Sequence, residues 1–170
     1  VLDGLQSADA SELVVTQELS RTKTKGYGTG FGASIAIGLP PVKNFGREPL
    51  RTRVINEVLS GEKIACLAIT EAFAGSDVAN IKTRAVRPPD GSWKVNGTKK
   101  WITAGMYADY FTVACRTYGG DAPDGSFSCL LVPRVEGVTT KAIPTMYSAA
   151  AGTAYVTFDD VSVPADHLIG

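Results

Sequence analysis

Residues 59–70 read LSGEKIACLAIT, and the apolar pattern of the chain changes within this stretch. Before it, apolar residues recur at helical spacing, most clearly in residues 51–59, where they fall on one face of a helix. Gly61 supplies a stop, because glycine is the usual residue just past a helix end. After it, short apolar segments alternate with turn-forming residues, a pattern that indicates strands. We therefore predict a helical domain, residues 1–61, followed by a β-domain, residues 62–170.

The helical domain carries two further helix signals. Ser11 is predicted to cap a helix that ends near Lys25-Gly26, because a serine side chain can accept a hydrogen bond from free N–H groups at a helix start. A second helix is expected over residues 32–37. Pro40-Pro41 is expected to close that helix, since proline disfavours helical geometry in the preceding residue and cannot continue the hydrogen-bond ladder.

A glycine cluster at residues 26–33, GYGTGFGA, matches the G-x-G-x-x-A spacing of a dinucleotide-binding turn, and Glu48 follows at a suitable distance. That motif binds a dinucleotide only when a strand comes directly before it. Residues 17–25 are instead polar and helix-patterned. We therefore interpret the cluster as a glycine-rich turn between helices.

The β-domain is predicted from apolar segments separated by turn chemistry. Asn96-Gly97 is the strongest short hairpin signal in the chain, Pro88–Gly91 favours a tight reversal, and residues 119–125 form a longer loop. Short strands joined in this way indicate an antiparallel, barrel-like β-domain, so the predicted fold class is α+β. The predicted strands are residues 64–70, 82–87, 92–95, 99–103, 110–116, 127–132 and 154–158.

The composition excludes several functional classes. The 17 Lys and Arg residues offset the 17 Asp and Glu residues, so we expect no nucleic acid or anionic membrane as a partner. No apolar run approaches the roughly 20 residues that span a bilayer. Three single cysteines and one histidine, His167, do not make a metal site. The cysteines are expected to be buried thiols, and His167 is expected in a surface turn.

Two separated motifs carry a family resemblance. Residues 68–77 read AITEAFAGSD after an apolar strand, and residues 96–103 read NGTKKWIT. Together they resemble the two signatures of the acyl-CoA dehydrogenase superfamily, usually seen as TEPxAGSD and, some 25 to 30 residues later, NGxKxWIT. Residues 158–164, FDDVSVP, are similar to the family's closing strand. The resemblance extends over about residues 12–170, and implies part of an N-terminal helical domain followed by the middle β-domain.

The resemblance implies FAD as the cofactor and assigns residues to it. Thr70, with the backbone around Ile69, would bond the edge of the isoalloxazine. Thr103 would donate to the flavin N5, Trp101 would lie against the ring system, and Ser76 would bond the pyrophosphate. Taken without the motifs, the two threonines would be ordinary strand residues, the tryptophan a core aromatic, and the serine part of a capped turn.

The resemblance also implies that the catalytic base lies downstream, in a C-terminal helical domain outside this chain. We therefore assign no catalytic residue here, and interpret Glu71 and Asp77 as structural or turn residues. Alone, the chain is expected to have no dehydrogenase activity. The family usually has proline where Ala72 stands and asparagine where Ala104 stands, and these departures affect the expected substrate more than the expected cofactor.

The function implied for the complete protein is α,β-dehydrogenation of an acyl-CoA or a related small molecule by a homo-oligomeric flavoenzyme. Two alternatives stay open. One is a flavin oxidase on the same scaffold that acts on another carbon acid, such as a nitroalkane. The other is a non-catalytic β-domain used for binding or assembly. The expected location is intracellular, and mitochondria, peroxisomes and cytoplasm are all compatible with the sequence.

Overall fold

The computed structural model describes residues 7–23, 25–121, 123–146 and 148–169. Within these ranges the α-helices are α1 (Ser7–Arg21), α2 (Lys25–Ala33), α3 (Pro40–Phe45) and α4 (Leu50–Leu59). The strands are β1 (Ala65–Ala68), β2 (Arg84–Val86), β3 (Trp93–Ile102), β4 (Tyr110–Tyr118), β5 (Ser126–Pro133), β6 (Val138–Ala142) and β7 (Ala154–Val163). The α-helices precede the strands, which confirms the α+β class. Residues 1–6 of the predicted helical domain lie outside the described residues.

The helical part differs from the prediction at two boundaries. Helix α1 already includes Ser7, so Ser11 lies inside the helix and is not its N-cap. Pro40-Pro41 begins α3 and does not end the helical region. Proline is tolerated in a first helical turn, because its missing N–H would have no helical acceptor there. A short π-helix, Ser34–Gly38, joins α2 to α3.

The glycine cluster forms helix α2, and the predicted turn between helices is wrong. Two of its glycines lie against a short 3₁₀ turn, Ala149–Ala151. A Cβ on Gly26 would come within 2.6 Å of the Ala150 Cβ, and a Cβ on Gly30 would come within 3.0 Å of the Ala150 carbonyl oxygen. Glycine at these positions allows α2 to pack closely on the β-domain, which gives the cluster a structural role without a dinucleotide.

Strand β4 organises the sheet, because both of its edges are paired. Strand β5 runs antiparallel along one edge. Two short strands share the other edge end to end, since β1 pairs with residues 110–113 and β2 with residues 116–118. The sheet then continues through β3, β7 and β6.

The predicted antiparallel, barrel-like arrangement is correct only in part. Strands β1 and β2 both run parallel to β4, and the other pairings of the described residues are antiparallel. The sheet is not closed. Between β1 and β2 the chain makes an excursion over residues 69–83 and returns to the same edge of β4 in the same direction. An excursion of this kind gives parallel strands, whereas a hairpin would have reversed the chain.

Asn96-Gly97 does not form the predicted hairpin and lies inside the continuous strand β3. Gly97 has a φ of 152°, which is accessible essentially only to glycine, and β3 pairs with β7 on both sides of a register shift at this point. A Cβ on Gly97 would lie 2.5 to 2.8 Å from atoms of Thr83. Gly97 therefore allows a β-bulge in β3 and the close approach of the neighbouring chain segment. This is a known use of glycine inside a strand, distinct from its use in a hairpin turn.

Two clusters of apolar side chains form most of the core. One lies on the sheet face that contains Phe111 and Phe158, whose rings meet edge to face at a centroid distance of 5.9 Å. The other lies where α3 and α4 cover the opposite face of β4. There the Tyr110 hydroxyl donates a 2.6 Å hydrogen bond to Glu57 of α4. Burial and this bond raise the pKa of Tyr110 to about 12.

Two expectations from composition, on the cysteines and on His167, can be compared with the structure. Cys66 and Cys115 are buried and Cys129 is partly buried, as predicted. His167 is buried, and its Nδ1 lies 2.8 Å from the carbonyl oxygen of Leu131, so the predicted surface turn is wrong. The described residues contain no cluster of side chains suited to a metal ion. None of the described helices combines the length and apolarity needed to cross a membrane.

The close contact at Gly97 predicts an unusually costly glycine substitution. We expect Gly97→Ala to lower the free energy of unfolding by about 3 kcal/mol, because backbone strain and a clash with Thr83 add together. Gly91 is the matched control, since it also has a positive φ but its Cβ would meet nothing within 4 Å. Gly91→Ala should cost only about 1 kcal/mol. Chemical denaturation of both variants measures the difference, and equal losses would contradict the prediction.

Candidate functional site

The excursion between β1 and β2 opens a gap in the sheet between β4 and β3. Just before the gap, the Lys100 N–H of β3 donates a 2.8 Å hydrogen bond to the carbonyl oxygen of Thr70. This bond joins the segment that follows β1 to β3. It holds Thr70 beside the end of β3, where Trp101 lies.

A buried ion pair fills the gap. The side chain of Lys99 is fully buried, and its Nζ donates to the carbonyl oxygen of Ile69 at 2.9 Å and to Glu71 Oε1 at 2.8 Å. The Glu71 carboxylate also accepts from the backbone N–H groups of Lys82, at 2.8 Å, and Thr83, at 2.9 Å. The Thr83 hydroxyl donates to it at 2.5 Å. One carboxylate thus joins the two ends of the excursion to β3.

The charge state of Glu71 follows from these contacts. Burial alone would raise the pKa of Glu71, but the hydrogen bonds from Lys99, Thr83 and Lys82 outweigh it and lower the pKa to about 2. Burial lowers the pKa of Lys99, and the hydrogen bond and charge of Glu71 oppose that change. An ionised carboxylate that already accepts four hydrogen bonds is a poor general base, which agrees with the structural interpretation of Glu71.

The backbone on either side of Thr103 is strained. Trp101 has a φ of 64° and Ala104 a φ of 60°, values that are uncommon for residues other than glycine. The pairing of β3 with β7 shifts register between Lys99 and Ile102, so Lys99 faces the interior while Trp101 turns outward. A β-bulge re-aims side chains in this way, and strain of this kind clusters at functional sites.

Trp101 is half exposed, at 51%, so the interpretation of this side chain as a core aromatic is wrong. The Nζ of Lys100 lies 4.9 Å from the centroid of the Trp101 ring, close enough for a cation–π contact. Tyr155 of β7 contributes a second ring to this lysine, with its centroid 5.4 Å from Nζ. The lysine therefore supports a tryptophan ring that still presents apolar surface to solvent.

Thr103 lines a cavity between the helices and the end of β3. The cavity has a volume of about 870 Å³, and its other walls come from α1 and α2 and the π-helix that follows. Gly28 and Gly32 of α2 lie on it, and a Cβ on either glycine would meet nothing within 4 Å. The Ala104 N–H donates to the carbonyl oxygen of Ala151 at 2.7 Å, which anchors the turn after Thr103.

Ser76 lies on an exposed loop of the excursion. Glu71 and Ala74 exchange two backbone hydrogen bonds, of 3.0 and 3.3 Å, which close the start of this loop. A Cβ on Gly75 would meet nothing within 4 Å, so the backbone beside Ser76 is open to approach. No hydrogen bond of the described residues joins Ser76 to Thr70, Trp101 or Thr103.

The structure thus brings four of the five predicted residues to one end of β3. Thr70 pairs with β3 next to Trp101, Thr103 follows two residues later, and Ile69 is bonded to Lys99. Ser76 belongs to the same excursion but lies apart on its loop. The predicted residues did not include Lys99 or the cavity wall of α2. Lys99 stands between Thr98 and Lys100 in the sequence and gives no signal of burial, because the bulges of β3 hide which positions face inward.

Comparisons with known proteins agree with the resemblance of the motifs. The sequence matches the family model of the acyl-CoA dehydrogenase middle domain over residues 66–161. The acyl-CoA dehydrogenase apdG of Emericella nidulans is 40% identical over 160 residues, which cover 92% of this chain and 36% of that protein. The mitochondrial very long-chain specific acyl-CoA dehydrogenase of Rattus norvegicus is 34% identical over 176 residues, 99% of this chain and 26% of that protein.

Solved structures of the same kind share the fold. An acyl-CoA dehydrogenase from Bacillus anthracis, complexed with FAD, matches with a TM-score of 0.77 and 31% identity, over 85% of this chain and 24% of that chain. The chain therefore spans between about a quarter and about a third of the length of these three relatives.

The buried pair predicts a pH-dependent loss of stability in a Glu71→Gln variant. Near neutral pH we expect the variant to lose about 3 kcal/mol of unfolding free energy, because Lys99 stays buried without its counter-charge. The pKa of Glu71 falls from 4.5 to about 2 on folding, so its stabilisation is complete above pH 4.5 and is lost as the pH falls towards 2. The difference between wild type and variant should narrow over that range.

Urea denaturation at a series of pH values measures this difference. The control is Glu62→Gln, since Glu62 is an exposed carboxylate for which we expect little change at any pH. A wild type–Glu71→Gln difference that stays constant down to about pH 3 would contradict the assignment of the low pKa to Glu71.

Proposed function

The chain belongs to the acyl-CoA dehydrogenase superfamily, and on that premise we propose that it is the FAD-binding part of an enzyme that dehydrogenates an acyl-CoA thioester. The observation that carries the proposal is the meeting of Thr70, Trp101 and Thr103 at one end of β3. These side chains come from two motifs that lie far apart in sequence. Thr103 also lines the cavity beside the helices, and this open space supports the proposal of a bound flavin.

The residues at this end of β3 fit an isoalloxazine ring. Such a ring needs a flat apolar surface against one face and hydrogen-bond partners at its edge. Trp101 offers a half-exposed indole, and Thr70 and Thr103 offer partly buried hydroxyls without adding charge. The open space beside Gly28 and Gly32 leaves room on the helical side. The donor set and the space therefore both suit the cofactor.

Each residue has a proposed role toward that cofactor. Bound FAD supplies the acceptor for the hydride that leaves the β-carbon of the substrate. Thr70 and the Ile69 backbone orient the ring edge, Thr103 donates a hydrogen bond near N5, and Trp101 covers one ring face and excludes water from it. Ser76 and its open backbone are proposed to bond the pyrophosphate.

The α-proton of the substrate needs a base, and the described cavity lining contains no aspartate or glutamate. Glu71 is engaged by Lys99 and is not free to remove a proton. We infer that the base comes from residues outside this chain. In the same proposal residues 1–61 and 62–170 are two domains, and the complete protein is a homo-oligomer. The exposed apolar residues Leu13, Val14 and Val15 of α1 support contact with another chain or domain.

Flavin binding predicts that Trp101→Ala weakens the affinity of the full-length protein for FAD about tenfold, since loss of the ring contact costs about 1.4 kcal/mol. The measurement is a titration of the cofactor-free protein with FAD, followed by quenching of flavin fluorescence. Val135→Ala is the control, because Val135 is an exposed apolar residue near Lys94, at the opposite end of β3. Equal affinities of Trp101→Ala and wild type would contradict the assignment of Trp101.

The reaction class predicts how the FAD-loaded, full-length protein responds to substrates. We expect an acyl-CoA to bleach the visible flavin band under anaerobic conditions, because the substrate carries the hydride that reduces the flavin. A nitroalkane should leave the band unchanged. Bleaching by the nitroalkane together with oxygen consumption would support the oxidase alternative, and a full-length protein without a flavin band would contradict both.

A further inference from the structure

We propose that Lys99 and Glu71 are positioning residues that fix the Ile69–Thr70 peptide against the flavin edge. The proposal rests on the proposed function, since it assigns residues toward the same cofactor. It concerns two side chains that touch each other and the backbone of the site. Neither has a proposed contact with the flavin.

The first step is the orientation of one peptide group. Lys99 Nζ donates to the carbonyl oxygen of Ile69 at 2.9 Å. A peptide unit is planar and trans, so its C=O and N–H point in opposite directions. Fixing the Ile69 carbonyl toward Lys99 therefore turns the Thr70 N–H away from Lys99. No backbone or side-chain acceptor within the described part of the chain receives a hydrogen bond from that N–H. The Thr70 N–H is free to donate to a ligand.

The second step is the rigidity of the support. The backbone of residues 69–71 has left β1, so regular strand pairing no longer holds it. A single backbone–backbone hydrogen bond, from the Lys100 N–H to the Thr70 carbonyl oxygen, remains between this segment and β3. Lys99 adds a second bond from the adjacent residue of β3. Glu71 in turn fixes the Lys99 ammonium and is itself held by Thr83. The peptide is therefore attached to both sides of the gap.

The third step is electrostatic. A buried ammonium without a counter-charge would lose its proton or draw water into the gap. The Glu71 carboxylate, 2.8 Å away, makes the pair neutral. The Lys99–Glu71 pair thus orients the Ile69–Thr70 peptide without leaving an uncompensated charge beside the flavin ring. A change in either partner should alter both the hydrogen bonding and the local charge near the flavin, and both affect its reduction potential.

The test compares variants of the full-length, FAD-loaded protein in flavin affinity and flavin reduction potential, measured well below the melting temperature. We expect Lys99→Met to weaken FAD binding about tenfold and to shift the reduction potential. Tyr110→Phe is the matched control, since it removes another partly buried hydrogen bond, to Glu57, far from the Ile69–Thr70 peptide. It should lower the melting temperature and leave affinity and potential unchanged.

A second variant covers the case in which Lys99→Met does not fold. In Glu71→Met/Lys99→Met, apolar side chains fill the gap and no unpaired charge is left, although the N–H groups of Lys82 and Thr83 lose their acceptor. Replacements of a buried ion pair by apolar side chains are often tolerated. We expect this double variant to fold and still to bind FAD more weakly than wild type, because the Ile69 carbonyl has lost its donor. A folded double variant with wild-type affinity and potential would overturn the proposal.

The measurements distinguish the positioning role of Lys99 and Glu71 from the proposed binding of FAD. If Trp101→Ala weakens FAD binding while Glu71→Met/Lys99→Met does not, the flavin assignment stands and the positioning role is wrong. If the wild-type full-length protein binds no FAD, the proposed function itself fails. If Tyr110→Phe shifts the potential as far as Lys99→Met does, the effect reflects general destabilisation, and the positioning role is again wrong.

Discussion

Between β1 and β2 the chain leaves the sheet, and the N–H groups of Lys82 and Thr83 are bonded by the Glu71 carboxylate. The Thr83 bond is partly buried, and a buried donor without an acceptor costs about 1–3 kcal/mol, so the carboxylate replaces a missing strand partner. A buried carboxylate in turn needs a cation, and Lys99 supplies it from the neighbouring strand. Neither side chain would be stable in the gap without the other. Their pairing allows one edge of β4 to carry two strands with an excursion between them.

The shape of β3 follows from the same constraint. Lys99 must face the gap, whereas Trp101 turns outward only two residues later. A regular strand would place both on the same face, because side chains alternate with a period of two. The register shift and the positive φ of Trp101 resolve this conflict. The conformational strain at the candidate site is therefore coupled to the internal ion pair, and a single irregular segment serves the sheet and the site together.

Much of the fold follows from local patterns in the sequence, and the failures have a common physical origin. The change from helices to strands after Gly61 was predictable, because the period of apolar residues reports local structure directly. The hairpin predicted at Asn96-Gly97 is wrong, because the sequence does not distinguish a glycine that allows close packing against Thr83 from a glycine in a hairpin turn. Strand β6 was missed because most of its residues are exposed and polar. Its place is set by pairing with β7, which is a long-range contact.

Only those residues of the candidate site that belong to a sequence motif were predictable. Thr70 and Trp101 belong to motifs, and the structure places them side by side through pairing of distant residues. The cavity wall of α2 belongs to no motif, and the burial of Lys99 depends on bulges. The pattern of a single segment predicts neither the cavity wall nor the burial of Lys99, because both depend on which segments come into contact after folding.

The glycines of α2 show how the helical part contributes to the site. Gly26 and Gly30 are four residues apart and lie on one face, where they allow close contact with Ala150. Gly28 and Gly32 are also four residues apart, but they are rotated from the first pair by about 200°, since each residue turns the helix by about 100°. They therefore line the opposite face, towards the cavity. Each glycine weakens a helix by about 1 kcal/mol, so four in one helix need a packing reason. Gly26 and Gly30 bring α2 close to the β-domain. Gly28 and Gly32 keep space open beside Thr103, so one helix both packs on the β-domain and lines the cavity of the candidate site.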